Sequence, residues 1–191
     1  MKVTTDTQFQ LMSVSKPFTA TGLALLVDER RMDWKGPVRE YIPEFRLHDT
    51  IVSDRVSVRD LLCHHSGLPI HDWIWLPGDL SPAQMLAAMR YLELRDDIRS
   101  TFQYSNIGHL VASIAVERVS GQRWAEFTRA LTDKLHVEVT FTVEELAAAA
   151  DAAFKAAGYD NRAVLDMLVL AATKLISNYT NHLARRPTTA S

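Results

Sequence analysis

The stretch LMSVSKPFTATGLALLVDE, residues 11–29, limits the folds open to this chain more than any other. Phe18, Leu23, Leu26 and Val27 recur at helical spacing and predict a helix over 17–30, closed by the polar run DERRMDWKG. A helix with one apolar face is stable only when other elements cover that face, so the rest of the chain must supply a partner layer. Ser13 and Lys16 stand at the entry of this helix, three residues apart and therefore on one side of a helical turn.

Up to residue 135 the chain mixes short extended pieces, turns and helices. GPVREYIPEF is a short helical turn between Pro37 and Pro43, and VSVRDLLCHHSGLP predicts a short helix from about Val58, stopped by Gly67 and Pro69. SPAQMLAAMRYL begins with Ser81 as N-cap and Pro82 at the first helical position. Residues 107–120 and 122–134 are two further helical stretches separated by Gly121. HVEVTF alternates Val137, Val139 and Phe141 with polar neighbours, the pattern of a strand. From Thr142 onward the pattern is that of a helical hairpin: Thr142 and Glu145 have capping-box spacing, Gly158 ends the first helix, and Val164, Leu168, Ala172, Leu175 and Tyr179 line one face of the second. The organisation therefore changes near residue 135, giving an expected segment 1–135 and a helical segment 136–191.

Ser13 and Lys16 admit two chemistries. A serine hydroxyl is a weak nucleophile at neutral pH and needs a neighbouring base, which a lysine in a suitable environment can provide. A serine in a first helical turn also lies in the positive end of the helix dipole, which favours developing negative charge. The plainer alternative is a serine that caps the helix beside an exposed lysine. The pattern is not specific by itself, because 12 serines and 6 lysines among 191 residues give about 0.4 chance S-x-x-K matches. FQYSN adds Tyr104 and Asn106, and the Tyr-x-Asn spacing recurs at Tyr179 and Asn181 inside the helical tail. On residue type alone, Tyr104 is either a core tyrosine with a bonded hydroxyl or a proton-transfer group.

The order SVSK, apolar helix, VSVRDLLCHHSGLP and FQYSN resembles the serine β-lactamase and penicillin-binding-protein superfamily, in particular its class C-like branch with esterases and D-aminopeptidases. The likeness runs from about Val3 to Leu135 and includes the connecting text LALLVDERRMDWKGPVREYIPEF. It implies an α-rich α/β chain with a partial β-lactamase-like fold. It further implies Ser13 as acylated nucleophile, Lys16 as its proton-accepting partner, Tyr104 as proton relay to the leaving group, and Asn106 as a hydrogen-bond donor to substrate and to Lys16. The implied substrates are small esters, amides or β-lactams. The family's third motif, K-[ST]-G or H-x-G on a strand, has no counterpart here: His65-Ser66-Gly67 matches as a string but lies ahead of Tyr104, beside a turn. On that basis the hydrolase segment is expected to be incomplete and its turnover impaired, since loss of one oxyanion donor lowers turnover by about 10²–10³.

Residues 140–187 resemble the C-terminal helices of the carboxymuconolactone decarboxylase and alkylhydroperoxidase D-like family, whose members are helical oligomers. That resemblance implies a joined chain and self-association through the tail. It also frames a non-catalytic alternative, an oligomerisation module carrying a vestigial hydrolase segment. One cysteine, Cys63, excludes an internal disulfide and a C-x-x-C pair. CHHSGLPIHD gathers Cys63, His64, His65, His71 and Asp72 as candidate metal ligands, although neighbours on a helix point apart; no metal and no cofactor are expected. A net charge of −2 gives no electrostatic case for nucleic acid or an anionic membrane, and no apolar run reaches membrane-spanning length. With no leader pattern in MKVTTDTQFQ, a cytoplasmic location is expected.

Overall fold

A computed structural model of the chain describes residues 11–75, 79–137 and 139–141. The chain divides into two compact units, Met1–Glu138 and Val139–Ser191, and nearly all described residues belong to the first. The predicted helical hairpin of the tail lies outside the described residues.

The α-helices among the described residues are α1 (Lys16–Asp28), α2 (Val38–Tyr41), α3 (Thr50–Arg55), α4 (Val58–Leu62), α5 (Pro82–Ala88), α6 (Asn106–Ser120) and α7 (Trp124–Lys134). Short 3-10 turns occupy Met12–Ser15, Asp72–Ile74 and Met89–Tyr91. The helix starts follow local chemistry. Pro17 sits in the first turn of α1, where its fixed φ fits and its missing N–H leaves nothing unpaired. The Ser81 hydroxyl accepts from Gln84 N, and Gln84 Oε1 in return accepts from Ser81 N at 2.8 Å. Ser57 and Asp60 form a second capping box at α4, and Ser105 caps α6 by accepting from Gly108 N. Gly121, at φ +78°, ends α6 in the left-handed conformation that glycine adopts without strain.

Packing explains why α1 needs α6. Leu23 and Leu26 of α1 and Val111, Ala112, Ala115 and Val116 of α6 belong to one buried core, and the two helices lie against each other. Each fully buried leucine or valine contributes about 1.5–3 kcal/mol relative to exposure. α7 closes on the same face at Gly22, where a Cβ would lie 3.0 Å from the Phe127 ring. Trp124 Nε1 donates to Thr19 Oγ1 at 3.0 Å across this contact. Val38, Ile42, Phe45, Val56, Val58 and Leu61, on and beside α2, α3 and α4, belong to the same core.

Two expectations differ from what is observed. Val137 and 139–141, most of the alternating HVEVTF stretch, are not in a strand; alternation specifies two faces but does not itself supply a neighbouring strand. The only β pairing among the described residues is an isolated antiparallel bridge between Pro37 and Ser57. α3 has no counterpart in the sequence expectations, because six residues are too few to display a helical period. Asp49 fixes its start, its carboxylate accepting from Ile51 N and Val52 N.

The loop after α4 is set by Gly67, at φ +75°, where a Cβ would lie 2.3 Å from the Asp96 carbonyl oxygen. Residues 95–105 therefore run closely beside 64–67, with Arg95 N, Arg99 N and Gln103 N donating to the carbonyls of Gly67, His65 and His64. Gly67→Ala is expected to lose about 1–2 kcal/mol from left-handed backbone strain, plus the cost of displacing the Asp96 carbonyl. Gly121→Ala, at φ +78° with open space around it, retains only the strain. Urea denaturation of both variants should give the larger loss for Gly67→Ala, and equal losses would show that the Asp96 backbone moves freely.

Candidate active site

Ser13 does not cap α1. The N-cap is Ser15, whose hydroxyl turns back to donate to the Met12 carbonyl at 2.6 Å. Ser13, exposed in the 3-10 turn, instead places Oγ 2.7 Å from Tyr104 Oη. Lys16 Nζ donates to Ser13 Oγ at 3.1 Å and to Asn106 Oδ1 at 2.8 Å, and it stands 4.9 Å from the centre of the Tyr104 ring. The four residues singled out in the sequence thus meet at one place, although Lys16 and Asn106 are 90 positions apart. They meet because Lys16 opens α1, Asn106 opens α6, and the two helices pack together.

Asn106 differs in one respect from the role the resemblance implies. Its amide oxygen accepts from Lys16, while Nδ2 donates to Asp72 Oδ1 at 3.1 Å. Asp72 Oδ1 also accepts from Trp75 Nε1 at 2.9 Å. The carboxylate fixes which end of the amide faces Lys16, since a flipped amide would set two donors against each other. Asp72 has no motif signal in the sequence beyond its place in CHHSGLPIHD, and its partner lies 34 residues away.

His64 was likewise not foreseen as part of this constellation. Its ring centre lies 4.6 Å from that of Tyr104, inclined by 34°. Its Nδ1 accepts from Ser105 N at 3.1 Å and its carbonyl from Gln103 N at 2.7 Å. His109 of α6 stands behind it, ring centres 5.1 Å apart.

The charges are arranged around Lys16. Burial alone would raise the Tyr104 phenol, but Lys16, through a hydrogen bond and its charge, and the Ser13 hydroxyl outweigh it and set the phenol below its ordinary value. His64 is lowered by burial and by the charges of Lys16 and His65. His109 is pushed down to about 4, chiefly by burial, with His64 and Lys16 acting in the same direction. Its Nδ1 is buried and has no hydrogen-bond partner. The site therefore disfavours positive charge on both imidazoles and favours the anionic form of the phenol relative to a free tyrosine.

The remaining members of CHHSGLPIHD do not converge. Cys63 is exposed, His64 faces Tyr104, and Asp72 binds Asn106; among the described residues no group of three or more His, Cys, Asp or Glu side chains is placed to hold a metal ion. A surface groove of about 640 Å³, lined by Lys35, Ser57, Arg59, Asp60, Cys63, His65 and Arg99, includes none of Ser13, Lys16, Tyr104 or Asn106. No helix among the described residues is long and apolar enough to cross a membrane.

The family profile described as Beta-lactamase matches residues 1–181. The chain belongs to the beta-lactamase family. The match continues through most of 140–187, so the second likeness of that tail rests on its sequence alone. Among relatives of this beta-lactamase family chain, an unguisins hydrolase of Aspergillus campestris is 33% identical over 130 residues, spanning 63% of this chain and 24% of that protein. A solved D-stereospecific amidohydrolase from Streptomyces is 26% identical with a TM-score of 0.56, covering 62% of this chain and 39% of that one. The octameric penicillin-binding protein homologue from Pyrococcus abyssi is 25% identical with a TM-score of 0.60, covering 70% and 33%. The chain thus spans between about a quarter and two fifths of the length of these relatives.

His109 makes stability depend on pH. The unfolded histidine takes up its proton near 6.5 and the folded one near 4. Between these values the unfolded chain binds more protons, so stability falls as pH drops from about 6.5 toward about 4. Asp60, which burial would raise but Arg99 and Ser57 hold below its ordinary 3.8, gives up its contribution only at lower pH. Urea midpoints at pH 7 and pH 4.5 should therefore differ less in His109→Gln than in the unmodified chain. An equal drop in both would assign the acid sensitivity to other groups.

Proposed function

We propose that this chain is a serine hydrolase that acts on an ester, amide or β-lactam carbonyl through an acyl-Ser13 intermediate. The observation that carries this reading is the triangle of Ser13 Oγ with Tyr104 Oη at 2.7 Å and Lys16 Nζ at 3.1 Å. The Ser13 oxygen bonds to the carbonyl carbon while its proton passes to the Tyr104 oxygen, the nearer of its two partners. The C=O electron pair moves onto the carbonyl oxygen. On collapse the bond to the leaving group breaks, and that group takes the proton held by Tyr104. Water then repeats the sequence on the acyl-serine and returns the proton to Ser13.

Lys16 and Tyr104 work as a coupled pair sharing protons, and Lys16 stabilises the phenolate by charge. Asn106, oriented by Asp72, holds Lys16 in place and keeps a second N–H free for substrate. The likeness to a D-stereospecific amidohydrolase favours amides among the three carbonyl classes.

The octameric state of the Pyrococcus abyssi homologue favours a second reading, in which the hydrolase segment is vestigial and the segment 136–191 serves self-association. Intact-mass spectrometry after incubation with a fluorophosphonate or a β-lactam separates the two. The expected result is a one-to-one adduct that is lost in Ser13→Ala and forms about 10²-fold or more slowly in Tyr104→Phe, the usual range for losing a general acid-base. No adduct on folded protein, together with a stable oligomer by light scattering, would establish the second reading instead.

A further inference from the structure

Tyr104 lies in an extended segment ahead of α6, outside any helix or strand that would fix it. Its hydroxyl must nevertheless stay within hydrogen-bond reach of Ser13. What holds the segment is one residue across the loop. His64 receives the amide hydrogens on both sides of Tyr104: Gln103 N donates to its carbonyl at 2.7 Å and Ser105 N to its ring Nδ1 at 3.1 Å. Between these two bonds the imidazole lies along the Tyr104 ring, 4.6 Å between centres. His64, Gln103 and Ser105 are all buried, so both bonds are shielded from competing water. The backbone of His64 is itself unusual, at φ +60°, a conformation that turns its carbonyl and its side chain toward the same neighbouring segment.

We propose that His64 is the positioning residue for Tyr104, holding the phenol at Ser13 through a backbone and a side-chain acceptor that bracket it. The inference deepens the acyl-serine reading and rests on it. The ring can accept at Nδ1 only while that nitrogen is bare, which places the imidazole proton on Nε2. Burial and the charges of Lys16 and His65 keep the ring in this neutral form. His64 also sets the start of α6, because Ser105, whose amide it binds, caps that helix through Oγ to Gly108 N at 3.2 Å. Loss of the ring acceptor frees the Tyr104 segment while leaving Ser13 in its 3-10 turn and Lys16 on α1 untouched.

Two substitutions isolate the ring acceptor. His64→Gly removes the ring and relieves the left-handed backbone. His64→Asn also tolerates φ near +60° and puts its amide oxygen where Nδ1 stands, one bond from Cγ. Fluorophosphonate labelling of Ser13 in the full chain is expected to slow about 10²-fold in His64→Gly, the scale of a misplacement of roughly 1 Å, and to recover most of that loss in His64→Asn. Amide hydrogen exchange of the same proteins gives a readout independent of chemistry. Ser105 N–H should lose protection in His64→Gly beyond the change in global stability, Gln103 N–H should keep it because its acceptor is backbone, and His64→Asn should restore Ser105. Equal labelling in all three proteins, or equal slowing in Gly and Asn with Ser105 protection unchanged, would overturn the positioning role. Failure of the unmodified chain to label would overturn the acyl-serine reading, and the exchange pattern would then decide the clamp by itself.

Discussion

The contact between α1 and α6 is the constraint on which the site depends. Lys16 is the first residue of one helix and Asn106 the first of the other, and their 2.8 Å hydrogen bond joins two helix N-termini. Such a junction has a chemical consequence, since both helix dipoles direct their positive ends to the same place. Negative charge developing on the Ser13 or Tyr104 oxygen is favoured there before any substrate binds. The junction is maintained further along the helices, by Leu23 and Leu26 against a face of α6 that includes Ala112 and Ala115. Core packing along α1 and α6 thus sets the distance between groups at their ends, and a cavity made by a core substitution would be felt as a change in reactivity.

Electrostatics add a second layer. Lys16 is shared among Ser13, Asn106 and the Tyr104 ring, and a further cation nearby would weaken all three interactions. The two histidines closest to it are kept neutral by burial and by Lys16 itself. With positive charge disfavoured on both imidazoles, they compete less with Lys16 for the Tyr104 oxygen. Asp72 opposes this arrangement, because its charge tends to raise the Tyr104 phenol. Its compensation is geometric: the carboxylate determines which end of Asn106 meets Lys16.

Parts of this were legible in the sequence. Helices with explicit start signals were, as at Ser81 and Pro82, because capping is decided by residues three or four positions apart. The Ser13 and Lys16 pair was also legible, since helical spacing alone puts the two side chains together. Tyr104 and Asn106 could be joined to them only by resemblance, because nothing local shows which of several tyrosines will cross 91 positions to reach Ser13. His64 and Asp72 escaped notice for the same reason. Each sits in a run of candidate metal ligands, and the partners that define their roles lie 41 and 34 residues away. Alternation in HVEVTF misled because it describes faces without describing a neighbour.

The proposed chemistry has two halves with different requirements. The proposed proton transfer draws on Ser13, Lys16, Tyr104 and Asn106, which are hydrogen-bonded to one another among the described residues. Oxyanion stabilisation is a separate requirement, met by donors aimed at the carbonyl oxygen as it gains charge. A strongly activated electrophile such as a fluorophosphonate demands much of the nucleophile and comparatively little of the oxyanion donors. An ordinary amide demands both, because its carbon must become tetrahedral before a poor leaving group departs. The ratio of the rates toward these two electrophiles therefore measures how far oxyanion stabilisation accompanies the proton network.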